Sequence, residues 1–218
     1  MLANKSVTVI DFGRGNLASV SRGFESVGAQ VVVTDDLEII LRADRVVLPG
    51  VGAFPDAMAE LATRDLISVI QSITQRGVPF MGICLGMQLL FERGFEFCET
   101  SGLSLLGGDV VRFPNVCPVS GHPLKLPNVG WRPLYPIFDE KSWDSGILKG
   151  IPSGESVYFV HSYIALPSQA NFEIATTKYG GVEFVGVVAK DNIVGCQFHP
   201  EKSGEVGLRI LKNFIDEF

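Results

Sequence analysis

The chain has 218 residues, 46% of them hydrophobic and 19% charged, which suits one folded domain over residues 1–218 and excludes global disorder. Its formal charge of −6 argues against a nucleic-acid-binding surface. Met1 to Val7 lacks the basic region and apolar run of a signal peptide. The longest apolar stretch, Val78 to Phe91, is interrupted by Gly82, Gly86 and Gln88 and is too short to span a bilayer, so no membrane association and a cytoplasmic location are expected.

Val7 to Ile10 reads as a first strand, broken at Gly13-Arg-Gly-Asn16, and Leu17, Val20, Phe24 and Val27 follow at helical spacing until Gly28. Gln30 to Val33 and Arg45 to Leu48 read as the next two strands. Pro49-Gly-Val-Gly52 turns the chain into a helix over Phe54 to Leu61, and a further helix is expected over Arg64 to Gln75. Pro79 to Ile83 is uniformly apolar, as a strand covered on both faces should be. Helical spacing resumes over Leu85 to Phe91. This alternation predicts an α/β fold with a doubly wound, mostly parallel sheet flanked by helices.

Beyond Leu103 short β-rich runs appear with glycine and proline between them: Val110 to Phe113, Ser156 to Val160, Phe172 to Thr177, Phe184 to Ala189 and Ile193 to Phe198. They predict a mixed or antiparallel β extension of the same domain. Asn115 to Lys125 is the most loop-like stretch. Ser203 is expected to cap a last helix with Val206, Ile210, Leu211 and Phe214 as its apolar stripe.

Four cysteines and three histidines are present, with no Cys-x-x-Cys pair, so neither a zinc site nor any other metal or cofactor is expected. Cys98, Cys117 and Cys196 read as plain thiols. Cys84 differs, because Gly82-Ile-Cys-Leu-Gly86 lies between an apolar strand and a helix start. That is the thiol version of a nucleophile elbow, with glycines two residues to either side admitting close backbone. A helix N-terminus aimed at sulfur favours thiolate, and the Leu85 N–H is placed to donate to an oxyanion. A thiol nucleophile needs a base and the base an orienting group. His199-Pro-Glu201 supplies both after the last strand, since residues two apart in extended chain project to one side. His122 and His161 are the less favoured bases. The N–H groups of Gly50, Val51 and Gly52 could complete an oxyanion hole.

Gly13-Arg-Gly-Asn-Leu-Ala18 also fits G-x-G-x-x-A, with Asp35 downstream, which supports a rival reading as a dinucleotide-binding oxidoreductase. That reading leaves the elbow and the His–Glu pair without a role. A stand-alone thiol hydrolase or peptidase is a second rival, and a catalytically dead binding module would need a missing triad member.

GICLGMQLLF, PGVG and QFHPEKS resemble the triad glutamine amidotransferases, and DFGRGNLASV, Gly130-Trp131 and YFVHSY narrow the resemblance to the glutaminase subunit of imidazole glycerol phosphate synthase. The resemblance implies a flavodoxin-like fold, a Cys84-His199-Glu201 triad, and glutamine held near Gly52, Gln88, Glu96, Ser162 and Tyr163. It implies ammonia passed to a (βα)₈-barrel cyclase in a heterodimer, with Trp131, Tyr158, Lys202 and Asn128 at the partner interface. One departure stands out: the family's Pro-His-Met-Gly-Trp-Asn run is Pro127-Asn-Val-Gly-Trp-Arg132 here. The alternative it leaves open is a paralogous subunit supplying ammonia for amidino-sugars of surface polysaccharide.

Overall fold

The computed structural model describes residues 5–137 and 143–218. The first half alternates strand and helix: β1 (Ser6–Ile10), α1 (Leu17–Ser26), β2 (Gln30–Thr34), α2 (Leu37–Leu41), β3 (Val46–Gly50), α3 (Phe54–Thr63), α4 (Leu66–Gln75) and β4 (Phe80–Cys84). Their four strands run parallel in the spatial order β2-β1-β3-β4. The helix α2 was not anticipated. Its signal is local: the Asp36 carboxylate accepts from the N–H groups of Glu38 and Ile39, and Ile40 is buried.

After β4 the chain enters α5 (Leu85–Gln88), then β5 (Phe91–Gly94), β6 (Thr100–Ser101), β7 (Leu106–Arg112), β8 (Asn128–Pro133) and β9 (Tyr135–Pro136). The helix expected to reach Phe91 stops at Gln88. Phe91 instead opens β5, and a returning segment bonds to the chain just before it: Leu103 N–H donates to Leu89 C=O, and Leu105 and Leu106 N–H to Leu90 C=O.

The remainder is β10 (Ser156–His161), β11 (Tyr163–Pro167), β12 (Glu173–Tyr179), β13 (Val182–Lys190), β14 (Ile193–Cys196) and α6 (Gly204–Glu217). The strand β14 joins β4 in parallel, and β13, β12 and β9 continue the sheet antiparallel, giving an eight-stranded mixed sheet. A second sheet has the order β11-β7-β5-β6, and β8 pairs with β10 as a two-stranded ribbon. The ribbon's β8, with Gly130 at φ +135°, gave no strand signal in the sequence.

Two apolar layers cover the main sheet, and strand periodicity sorts residues between them. Val7, Val9, Val47, Met81 and Ile83 face α1 and α6, where Phe24 and Phe214 meet edge to face at 6.1 Å. Ile10, Val46, Leu48 and Phe80 face α2, α3 and α4. The doubly wound arrangement leaves the carboxyl ends of three adjacent strands, β3, β4 and β14, side by side. No helix among the described residues is long and apolar enough to cross a membrane.

Candidate active site

Those three strand ends carry the chemistry. β3 ends at Gly50, in register with Cys84 at the end of β4, and Cys196 at the end of β14 is in register with Ile83. Gly52, Cys84 and His199 therefore emerge from neighbouring strands.

Cys84 sits at φ 55°, ψ −110°, a conformation that costs a non-glycine residue about 1–3 kcal/mol. The strain turns strand into helix within one residue and brings the thiol to the mouth of the sheet. Backbone from three sides presses on this turn. A Cβ on Gly82 would lie 2.6 Å from Gly86 O, one on Gly86 1.8 Å from Leu48 O, and one on Gly50 2.9 Å from Gly86 N. Gly86→Ala should destabilise the protein by at least about 2–3 kcal/mol, because the obstacle is main chain and not a movable side chain. Urea denaturation, with the midpoint compared at constant m, measures it.

Cys84 lines a cleft of about 270 Å³ together with Val51, Gly52, Leu85, Gln88, Glu96, Ser162, Tyr163 and His199. Val160 and His161 complete one wall, and the sulfur lies 3.8 Å from the Val160 carbonyl oxygen. Of the oxyanion candidates, Val51, Gly52 and Leu85 face the cleft, while Gly50 abuts the elbow behind them. All five residues expected to hold glutamine line this one cleft. A larger hollow, about 420 Å³, is lined by none of the candidate residues.

His199 Nδ1 is 2.8 Å from Glu201 Oε1, and both side chains are almost wholly buried. The imidazole is held from the backbone as well. His199 N–H donates to Tyr158 C=O, and Ser203 Oγ donates to His199 C=O while accepting from Tyr158 N–H. Ser203 does not cap α6 as expected; its hydroxyl is spent tying β10 to the His199 turn. Burial opposes charge on His199. The negative charges and hydrogen bonding of Cys84 and Glu201 outweigh it and raise the imidazole to about 9. Nε2 has no partner at full hydrogen-bond geometry among the described residues, so the bond from Nδ1 to Glu201 is the one that fixes the ring.

The other histidines are accounted for. His122 is exposed in the loop after β7. His161 touches the cleft, but its Nδ1 donates to Tyr163 C=O and its Nε2 accepts from Asn128 Nδ2, each at 2.9 Å. Burial lowers it to about 4, and the charges of Arg132 and His199 add to that against the Tyr163 bond. It is neutral at ordinary pH and has no free nitrogen. Asn128, expected at the partner interface, is fully buried in the chain itself and bonded to this ring. Trp131 is 52% exposed and meets Tyr158 edge to face at 6.0 Å, with Lys202 also exposed.

The Gly13 turn does follow a strand and precede a helix, but Arg64 closes over it. Its Nη2 would lie 3.2 Å from a Cβ on Gly13, and its Nη1 pairs at 3.0 Å with Asp35, the carboxylate that a ribose would need. All four cysteines are free thiols, and burial pushes Cys196 far up.

The family model for class-I glutamine amidotransferases matches residues 8–218. The chain belongs to the class-I glutamine amidotransferase family. Imidazole glycerol phosphate synthase subunit HisH 1 of Legionella pneumophila (strain Paris) is 46% identical over 210 residues, covering 96% of this chain and 98% of its own. Subunit HisH of Syntrophotalea carbinolica is 47% identical over 210 residues, covering 96% and 99%. A solved structure described as a glutamine amidotransferase superposes with TM-score 0.72 at 16% identity, covering 96% of this chain and 97% of that one. PurLQS from Thermotoga maritima gives 0.68 at 20% identity and 98% coverage of both. These structural likenesses show the fold. As a member of this family the chain is a glutamine-hydrolysing enzyme.

Two residues of this amidotransferase site escaped the sequence reading. Ser203 was read as a cap and works as a pin. Gln197, fully buried between Cys196 and Phe198, stood in the QFHPEKS run without a role. A polar side chain at the end of an otherwise apolar strand, two residues before the base, was the available signal.

Proposed function

We propose that this chain is the glutaminase subunit of an imidazole glycerol phosphate synthase, acting in the cytoplasm as one domain over residues 1–218. It hydrolyses L-glutamine and passes ammonia to a (βα)₈-barrel cyclase. The observation that carries this is the near-full-length identity of 46–47% to subunits of that name, joined to a cleft that gathers the thiol, the His–Glu pair and the glycine turn.

In this mechanism Cys84 Sγ attacks the amide carbonyl of glutamine. The N–H groups of Leu85 and of the Gly50-Val51-Gly52 turn receive the oxyanion. His199, oriented by Glu201, gives its proton to the departing nitrogen, which leaves as ammonia. Neutral His199 then takes a proton from water, whose oxygen cleaves the thioester to glutamate and returns the thiol. Glu96 and Gln88 hold the amino acid end of the substrate, with the backbone of Ser162 and Tyr163. Trp131, Tyr158 and Lys202 surround the exit toward the cyclase.

The test is to purify the chain with its cyclase and supply glutamine and the histidine-pathway ribonucleotide. Formation of imidazole glycerol phosphate, with glutaminase turnover raised on loading the partner, is the expected result. A well-folded complex that gives none of this product refutes the pathway and leaves the amidino-sugar route, which the departures at Asn128 and Arg132 first suggested.

A further inference from the structure

Gln197 is 0% exposed, follows β14 directly, and spends its amide on the active site. Its Nε2 is 3.9 Å from Cys84 Sγ, and its Oε1 accepts from Gln88 Nε2 at 2.9 Å. Gln88 Nε2 also donates to Tyr163 C=O at 3.1 Å. A side-chain amide nitrogen carries two hydrogens, and Gln88 has now used both. What Gln88 has left for the cleft is its carbonyl oxygen, which can only accept.

The direction of every amide in this chain of bonds follows from one end. Tyr163 C=O needs donors and takes them from Gln88 and from His161 Nδ1. Gln88 therefore turns nitrogen toward Tyr163 and Gln197, Gln197 answers with oxygen, and its own nitrogen is left facing sulfur. We propose that Gln197 is a positioning residue of the glutaminase site: it presents an N–H to the Cys84 sulfur and locks Gln88 with its oxygen toward the substrate. The inference rests on the glutaminase reading above.

Two consequences separate this role from plain packing. A thiolate gains from an N–H beside it and loses from a carboxylate there. An acceptor at Gln88 suits a donor on the substrate, its α-ammonium or its amide NH₂, and repels the α-carboxylate, which must go to backbone N–H groups instead. Glu96 reinforces that polarity: its carboxylate sits on the same cleft and accepts from Phe54 N–H at 2.8 Å.

Gln197→Glu keeps shape and keeps an oxygen for Gln88, but sets a second, charged oxygen against the sulfur. Gln197→Met keeps length and removes both contacts. The readout is the pH dependence of Cys84 carbamidomethylation by iodoacetamide, followed on the tryptic peptide 77–93, in which Cys84 is the single cysteine. Steady-state kinetics with glutamine accompany it, and melting curves check the fold. For Gln197→Glu the alkylation midpoint should rise by about one pH unit or more, with kcat reduced at least about 10-fold and KM within about 3-fold of wild type. For Gln197→Met the midpoint should rise less, and KM should increase about 10-fold as Gln88 loses its lock.

Midpoints unchanged in the folded variants would overturn the proposal. So would the unfolding of both, which would make the amide a folding group. The glutaminase reading is tested separately by the wild-type protein. If full alkylation of Cys84 leaves glutamine turnover intact, that reading fails whatever the variants do.

Discussion

Cys84→Ala is expected to lower glutamine-dependent turnover by at least about 10⁴-fold, the scale on which removing a covalent nucleophile acts. The same variant, assembled with the cyclase and supplied with ammonium salts, should keep its synthase activity, because only the source of nitrogen has been removed. The two assays together isolate the thiol's role. Full glutamine use by Cys84→Ala would refute the mechanism, and loss of both activities would point to a damaged interface.

The same position carries a second, thermodynamic signature. Alanine inherits the strained φ of 55°, whereas glycine does not. Cys84→Gly should therefore be more stable than Cys84→Ala by about 1 kcal/mol, after allowing for the greater freedom of glycine in the unfolded chain. The elbow stores strain to lift one sulfur clear of the sheet, and the comparison by urea denaturation measures it.

The parts legible in the sequence were those fixed by short-range rules. β1 to β4 and the helices α1, α3 and α4 announced themselves through apolar periodicity and the glycine turns between them. The elbow was legible because Gly82 and Gly86 flank Cys84 at the spacing a close backbone crossing requires, and the structure sets both against main chain. The His199–Glu201 pair is legible from its spacing, but not for the reason extended chain suggests: Pro200–Lys202 forms a 3-10 turn, with Lys202 N–H donating to His199 C=O, and this turn carries Glu201 back to Nδ1.

What stayed hidden depends on partners far along the chain. Nothing near Leu89 says that Leu103 to Leu106 will return beside it, so the helical spacing in the sequence runs on past the end of α5. The ribbon β8 is a strand only because β10 pairs with it, and the burial of Asn128 depends on His161, 33 residues away. Gln197 reaches Gln88 across 109 residues. Polar side chains tied over such separations leave no periodic trace.

His199→Asn should cost glutamine-dependent activity about 10³-fold or more, and Glu201→Gln clearly less, on the order of 10²-fold. The first removes the group placed to carry the proton between sulfur, departing nitrogen and water. The second leaves an oxygen that can still accept from Nδ1–H, and so keeps the ring's orientation while losing its charge partner. Their pH profiles should differ in a way that rates alone do not show. Because the imidazole is raised to about 9, the wild-type protein holds a charged His199 at neutral pH and loses it as pH climbs through about 9. The stability this pairing contributes is complete below the unfolded value of about 6.5 and disappears over the same climb toward about 9. Glutamine turnover, which needs that proton for the leaving nitrogen, should fall on the alkaline side with the same midpoint. In Glu201→Gln the missing carboxylate brings the midpoint down toward the ordinary imidazole range, so the variant should be least impaired near pH 6 and most impaired near pH 9. An alkaline limb that Glu201→Gln fails to move would mean that the carboxylate orients the ring without stabilising its charge.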